Sequence, residues 1–153
     1  MKNLILIALS MALLAAVAHE VDCPVCKLTV KQNTDKLDYE VVLRFGNKKI
    51  EYRCVNCALV DSGRYNGDIL IYAPSEKKGE PVPVRRKDGQ WSAPEGAVFL
   101  NAFKKHADCA DLSRGFWKKE ALDAYVAELK PENAKALTID QLLAEIKRQK
   151  EGA

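Results

Sequence analysis

The chain has only two histidines, His19 and His106, and its two methionines, Met1 and Met11, both lie near the start. With so little imidazole, the His-Glu-x-x-His signature of zinc proteases is absent. No Ser/His/Asp arrangement and no glycine-rich phosphate loop is present either. Beyond Met11 no thioether is available as a soft ligand. Neither sign of charge dominates: 24 basic residues face 21 acidic ones, for a formal net charge of +3. Lys and Glu are mixed along the same stretches, without the concentrated basic stripe of a nucleic-acid binder. No apolar run reaches the roughly 20 residues of a membrane span, and there is no internal repeat or low-complexity tract.

The longest apolar run, Leu4 to Val17, is broken by Ser10, preceded by Lys2, and followed by the small residues Ala16-Val17-Ala18. That order is the pattern of an export signal. The expectation is a signal peptide at residues 1–18, a mature chain beginning at His19, and a periplasmic or secreted protein without a stable membrane anchor. An uncleaved N-terminal anchor is the alternative. No Cys stands at the cleavage point, so a lipoprotein is not expected. Cleavage would remove Lys2 and both methionines but none of the five cysteines. The remaining chain is long enough for one modest domain, read as residues 19–130. Residues 131–153 read as a linker and a C-terminal amphipathic helix.

The pattern predicts an α+β fold. Tyr39, Val41, Leu43 and Phe45 alternate with Glu40, Val42 and Arg44, Gly46-Asn47 supplies a turn, and Ile50, Tyr52 and Cys54 continue the alternation. This is a β-hairpin signal. A short helix is expected over Val55 to Val60, ended by Asp61-Ser62-Gly63. Ile69 to Tyr72 reads as a buried strand, and Glu80 to Arg86, with prolines beside Val82 and Val84, as an edge strand. Lys118 to Leu129 has a helical stripe of Leu122, Tyr125, Val126 and Leu129, stopped by Pro131. Thr138 and Gln141 form a capping box, with Leu137 and Leu142 as its hydrophobic staple, and open a last helix that is free to pack loosely or to contact a partner. Trp91, Phe99, Phe103, Phe116 and Trp117 read as core. Lys77-Lys78 and Arg85-Arg86-Lys87 read as solvated charges on loops or edges.

The chemistry lies in the cysteines. Cys23-x-x-Cys26 and Cys54-x-x-Cys57 flank the predicted hairpin. Two thiolates separated by two residues converge on one ion when a tight turn or a first helical turn aims both sulfurs inward. Cys23-Pro24-Val25-Cys26 resembles a zinc-knuckle turn, Cys54 closes the hairpin, and Cys57 falls on the first turn of the next helix. Knuckle, hairpin and helix start form a treble-clef-like arrangement with small antiparallel sheets. One zinc or Cu(I) ion is the expected cofactor, with an iron–sulfur cluster as another soft candidate. Haem attachment is not indicated, because neither pair continues to Cys-His. Zinc in such a site contributes on the order of 10 kcal/mol to folding. Two disulfides, worth roughly 2–4 kcal/mol each, are the alternative in an oxidising compartment. A thiol–disulfide oxidoreductase is the third reading.

Cys23-Pro24-Val25-Cys26-Lys27-Leu28, followed by a hairpin and a Cys-bearing turn, resembles the start of the NosL-type copper-handling proteins, in a wider group with TRASH-like treble-clef domains. Gln90-Trp91-Ser92-Ala93, Ala97-Val98-Phe99 and Phe116 leading into Lys119-Glu120-Ala121-Leu122 follow a similar order, so the resemblance spans Cys23 to Leu129. It implies an exported metallochaperone whose partner is an exported metalloenzyme or a metal transporter. The family commonly places Gly-Met after the first Cys pair, where this chain has Lys27-Leu28, and the second Cys pair is an addition.

A second, smaller group is His106 and Cys109, three apart and so on one face of a helix, with Asp108 and Asp111 nearby. They could add metal ligands, or Cys109 could pair with another chain. The other reading is a solvated His106 and a Cys109 that is a small buried hydrophobe. His19, if it is the first mature residue, offers an amine and an imidazole to copper. The sequence therefore leads to a soft-metal-binding protein with Cys23, Cys26, Cys54 and Cys57 as ligands and no catalytic residue. Its alternative is a disulfide-stabilised binding module.

Overall fold

The structure, a computed structural model, describes residues 20–31, 40–102 and 112–151. Its elements in chain order are β1 (Glu20–Asp22), β2 (Thr29–Lys31), β3 (Val41–Phe45), β4 (Lys48–Tyr52), α1 (Val55–Asp61), a 3-10 turn at Ser62–Arg64, β5 (Ile69–Ala73), β6 (Val82–Lys87), β7 (Gln90–Ser92), β8 (Val98–Ala102), β9 (Leu112–Phe116), α2 (Lys119–Leu129), β10 (Lys135–Leu137) and α3 (Ile139–Glu151). The class is α+β, as expected. The described strands pair antiparallel in sheets of two, three and five strands.

The predicted hairpin is β3 and β4, with Val41 opposite Tyr52 and Phe45 opposite Lys48. Gly46 turns the chain at φ +53°, a conformation glycine adopts without steric cost. The large sheet runs β4-β3-β5-β6-β7. Its register aligns Leu43, Ile71 and Val84 across three strands, and all three are buried. β6 was expected at an edge but lies between β5 and β7. β7 pairs only with Arg85, Arg86 and Lys87, so Pro83, which has no N–H to donate, lies outside the stretch that β7 covers.

α1 and α3 cover the buried face of this sheet. Val55, Ala58 and Leu59 from α1 share one apolar cluster with Ile139, Leu142 and Ile146 from α3. The last helix is therefore built into the core, which corrects the expectation of loose packing. The supposed linker explains the difference. Lys135, Ala136 and Leu137 form β10 opposite Asn101, Leu100 and Phe99 of β8, so the start of α3 is anchored to a sheet. The capping box is present: Thr138 N–H donates to Gln141 Oε1 at 2.9 Å and Gln141 N–H donates to Thr138 Oγ1 at 3.3 Å.

The three-stranded sheet, ordered β10-β8-β9, carries α2 over a second cluster of Leu100, Phe116 and Leu122. Tyr125 packs edge-on to Phe116, with ring centroids 5.3 Å apart. Leu129, expected on the apolar stripe, is half exposed, because α2 ends there with Lys130 in the left-handed conformation. Phe99 and Phe116 are fully buried, Trp91 and Trp117 half-buried, and Phe103 lies outside the described residues. Gly115 sits where the two larger sheets approach. A Cβ there would lie 3.0 Å from Val82 Cβ and 3.2 Å from Ala73 Cβ, and its N–H donates to Pro74 O at 2.8 Å. Among the described residues no helix is long and apolar enough to cross a membrane.

Candidate metal centre

The first Cys pair is held by a turn between β1 and β2. These strands pair Val21 with Val30 and Asp22 with Thr29. Cys23 N–H donates to Leu28 O, and Lys27 N–H donates back to Cys23 O, both at 3.0 Å. Lys27 closes the turn at φ +61°, unusual for a residue with a Cβ. Its ammonium donates to Pro24 O at 2.9 Å. The backbone thus folds tightly around Pro24 and Val25 and leaves Cys23 buried and Cys26 half-buried.

The second pair begins where β4 ends. Cys54 has an extended backbone and is the N-cap of α1. Its carbonyl accepts from Ala58 N–H at 3.3 Å, and its Sγ accepts from Cys57 N–H at 3.4 Å. Short polar side chains commonly fill this capping position, and here a sulfur does so. Cys57 lies in the first turn and is fully buried. Arg53, just before the cap, bridges the two halves by donating from Nη1 to Thr29 O at 3.4 Å.

These two local structures bring three sulfurs together. The Sγ atoms of Cys23, Cys26 and Cys57 all lie within 4.8 Å of one another, a group that Cys54 does not join. The four described cysteines are thiols, with no disulfide among them. The Cys57 thiol donates to the Cys23 sulfur, and the backbone N–H groups of Arg53, Cys26 and Val25 also point to it. Together these outweigh burial, which disfavours the charged form, and lower the Cys23 thiol from 9.0 to about 5. Three convergent sulfurs, one of them with its thiol held well below the ordinary value, match the donor set of a soft metal ion.

His19, His106 and Cys109 lie outside the described residues, as does the expected signal peptide. Sequence reasoning passed over Arg53. The available signal was its place between the end of a strand and a ligand cysteine, where its backbone N–H meets Cys23. It also passed over Asn56, which stands between the two cysteines of the second pair, is buried, and has an Oδ1 without a hydrogen-bond partner.

The fold is similar to that of MerB2 in its mercury-bound form. The TM-score is 0.56 and the identity 18%, with 74% of this chain and 58% of the MerB2 chain covered. The chain thus spans somewhat more than half of that protein, and at this identity the likeness is one of fold. No family model matches the chain, and no curated protein matches it. MerB2 is an enzyme, an organomercurial lyase. The expectation that this chain is not an enzyme, which rested on the absence of familiar catalytic motifs, is corrected to this extent: the fold is one that an enzyme also has. A buried group of thiols carries no such motif.

Proposed function

We propose that this protein binds a soft, thiophilic metal ion through its cysteine centre and handles that ion outside the cytoplasm. The observation that carries the reading is the convergence of the Cys23, Cys26 and Cys57 sulfurs within 4.8 Å. Thiolates favour Cu(I) and zinc over hard cations such as magnesium and calcium, and zinc or Cu(I) is the proposed ion. The mercury-bound state of MerB2 is consistent with a fold that accommodates soft metals. The knuckle at Cys23–Cys26, the β3–β4 hairpin and the start of α1 support a treble-clef-like reading. Together with the resemblance to NosL-type proteins, they support delivery of the ion to an exported metalloenzyme or metal transporter. The apolar run at Leu4 to Val17 supports export.

A second reading is favoured by the depressed Cys23 thiol beside Cys57. A thiolate held ready in this way suits an enzyme that acts on a thiophilic substrate, the class to which MerB2 belongs. Native mass spectrometry of the protein from an exported fraction, without added metal or reductant, tests the first reading. A zinc or copper adduct that disappears when Cys23, Cys26 and Cys57 are replaced by serine is the expected result. A metal-free protein lacking the hydrogens that two disulfides remove overturns it. Release of inorganic mercury from an added organomercurial, abolished by the same replacements, establishes the second.

A further inference from the structure

We infer that the thiolate centre is an open, three-sulfur site: Cys23, Cys26 and Cys57 hold the ion, Cys54 positions the helix that carries Cys57, and an exogenous thiolate arriving beside Cys26 fills the remaining coordination position. The inference rests on the metal-binding reading above and adds which cysteines bind, what the fourth does, and the chemistry of the incoming ligand.

The sulfur positions come first. Three atoms each within 4.8 Å of the others share a point no more than about 2.8 Å from all three, against about 2.3 Å for a zinc–sulfur bond. Side-chain adjustments of about half an ångström close that gap. Cys54 stands outside the group and has a structural task, since its Sγ caps Cys57 N–H at 3.4 Å and its carbonyl starts the α1 hydrogen-bond ladder. Structural zinc sites are closed by four protein ligands, whereas three protein ligands leave a position for an exchangeable group.

Burial sets the direction of approach. Cys23 and Cys57 are fully buried, while Cys26 and its neighbours Pro24 and Val25 are half-buried. A ligand from solvent therefore meets the centre on the Cys26 side. An ion already bound by three thiolates prefers a fourth ligand of the same softness, which makes a thiol the matching class. Exchange needs no oxidant or reductant. The incoming thiol gives its proton to solvent as its sulfur–metal bond forms, and the lighter ligand that held the fourth position departs to solvent as its own bond to the metal breaks, so Cys23, Cys26 and Cys57 all stay bound.

X-ray absorption on the zinc-loaded mature protein counts the sulfurs around the ion. The expected result is three sulfurs and one lighter ligand, rising to four sulfurs when glutathione is added. Cys54→Ser should keep the count at three, because serine also caps helices, and should weaken zinc binding by about tenfold, the low end of the range for a residue that supports a ligand. Cys57→Ser should lower the count. Four sulfurs in the wild type without added thiol overturns the open site while leaving the metal-binding reading standing. A wild type that retains neither zinc nor Cu(I) overturns both.

Discussion

Replacing Cys57 by alanine removes the thiol that donates to the Cys23 sulfur, the largest influence lowering Cys23 in the metal-free protein. Lowered from 9.0 to about 5, Cys23 is mostly thiolate at neutral pH, whereas a thiol at 9.0 is mostly protonated there. In Cys57→Ala the burial that disfavours charge stays and its main opponent goes, leaving only three backbone N–H groups, so the Cys23 value should rise from about 5 toward 9.0 and the thiolate fraction at neutral pH should fall. Cys57→Ser keeps a donor hydroxyl and should retain much of the shift. Ultraviolet absorbance of the thiolate, followed from acid to alkaline pH on protein stripped of metal, reads this directly. A depressed acid is favoured by the fold in its charged form. The stability it contributes is complete above the unfolded thiol's value near 9.0 and is lost as pH falls through about 5. Thermal unfolding of wild type and Cys57→Ala should therefore diverge as pH rises between those values and converge in acid. A wild type with no inflection below neutrality, or a Cys57→Ala profile that superimposes on it, would refute the reasoning.

Three further outcomes test the fold that presents the site. Leu142→Ala deletes a fully buried side chain of α3 and should cost about 2–5 kcal/mol in urea unfolding; a loss near zero would mean that α3 does not belong to the core. Gly115→Ala places a methyl group against Val82 and Ala73 and should cost about 1–3 kcal/mol by overpacking. Part of that loss should be recovered when Val82 is also shortened to alanine, as a double-mutant cycle would show. Thr138→Ala removes the acceptor for Gln141 N–H and should cost about 1 kcal/mol, whereas Thr138→Asp, which keeps an acceptor, should cost much less.

The parts of the fold that follow local rules were legible in the residues. Alternation marked β3 and β4, the turn pair Gly46-Asn47 joined them, and Thr138 with Gln141 marked the start of α3. Each depends on neighbours within a few positions. The short strands β1, β2 and β7 carry too few residues to show a period, and other missed elements depend on distant partners. Lys135–Leu137 is a strand only because β8 lies beside it. Leu112–Phe116 has little strand pattern, since Gly115 is placed there by the approach of Val82 and Ala73. The edge reading of β6 failed for the same reason, because the prolines mark where β7 does not pair and say nothing of where it does.

At the site the division is similar. The sequence alone determined that the two Cys-x-x-Cys pairs would fall at a tight turn and at a helix start, because spacing and turn chemistry act within a few residues. It could not rank the four sulfurs. The packing of the β1–β2 turn against the start of α1 brought Cys23, Cys26 and Cys57 within 4.8 Å and left Cys54 capping the helix. That packing also buried Cys23 under the Cys57 thiol and three backbone N–H groups. Such an environment is assembled from segments about thirty residues apart in the chain, and only tertiary structure sets distances at that separation.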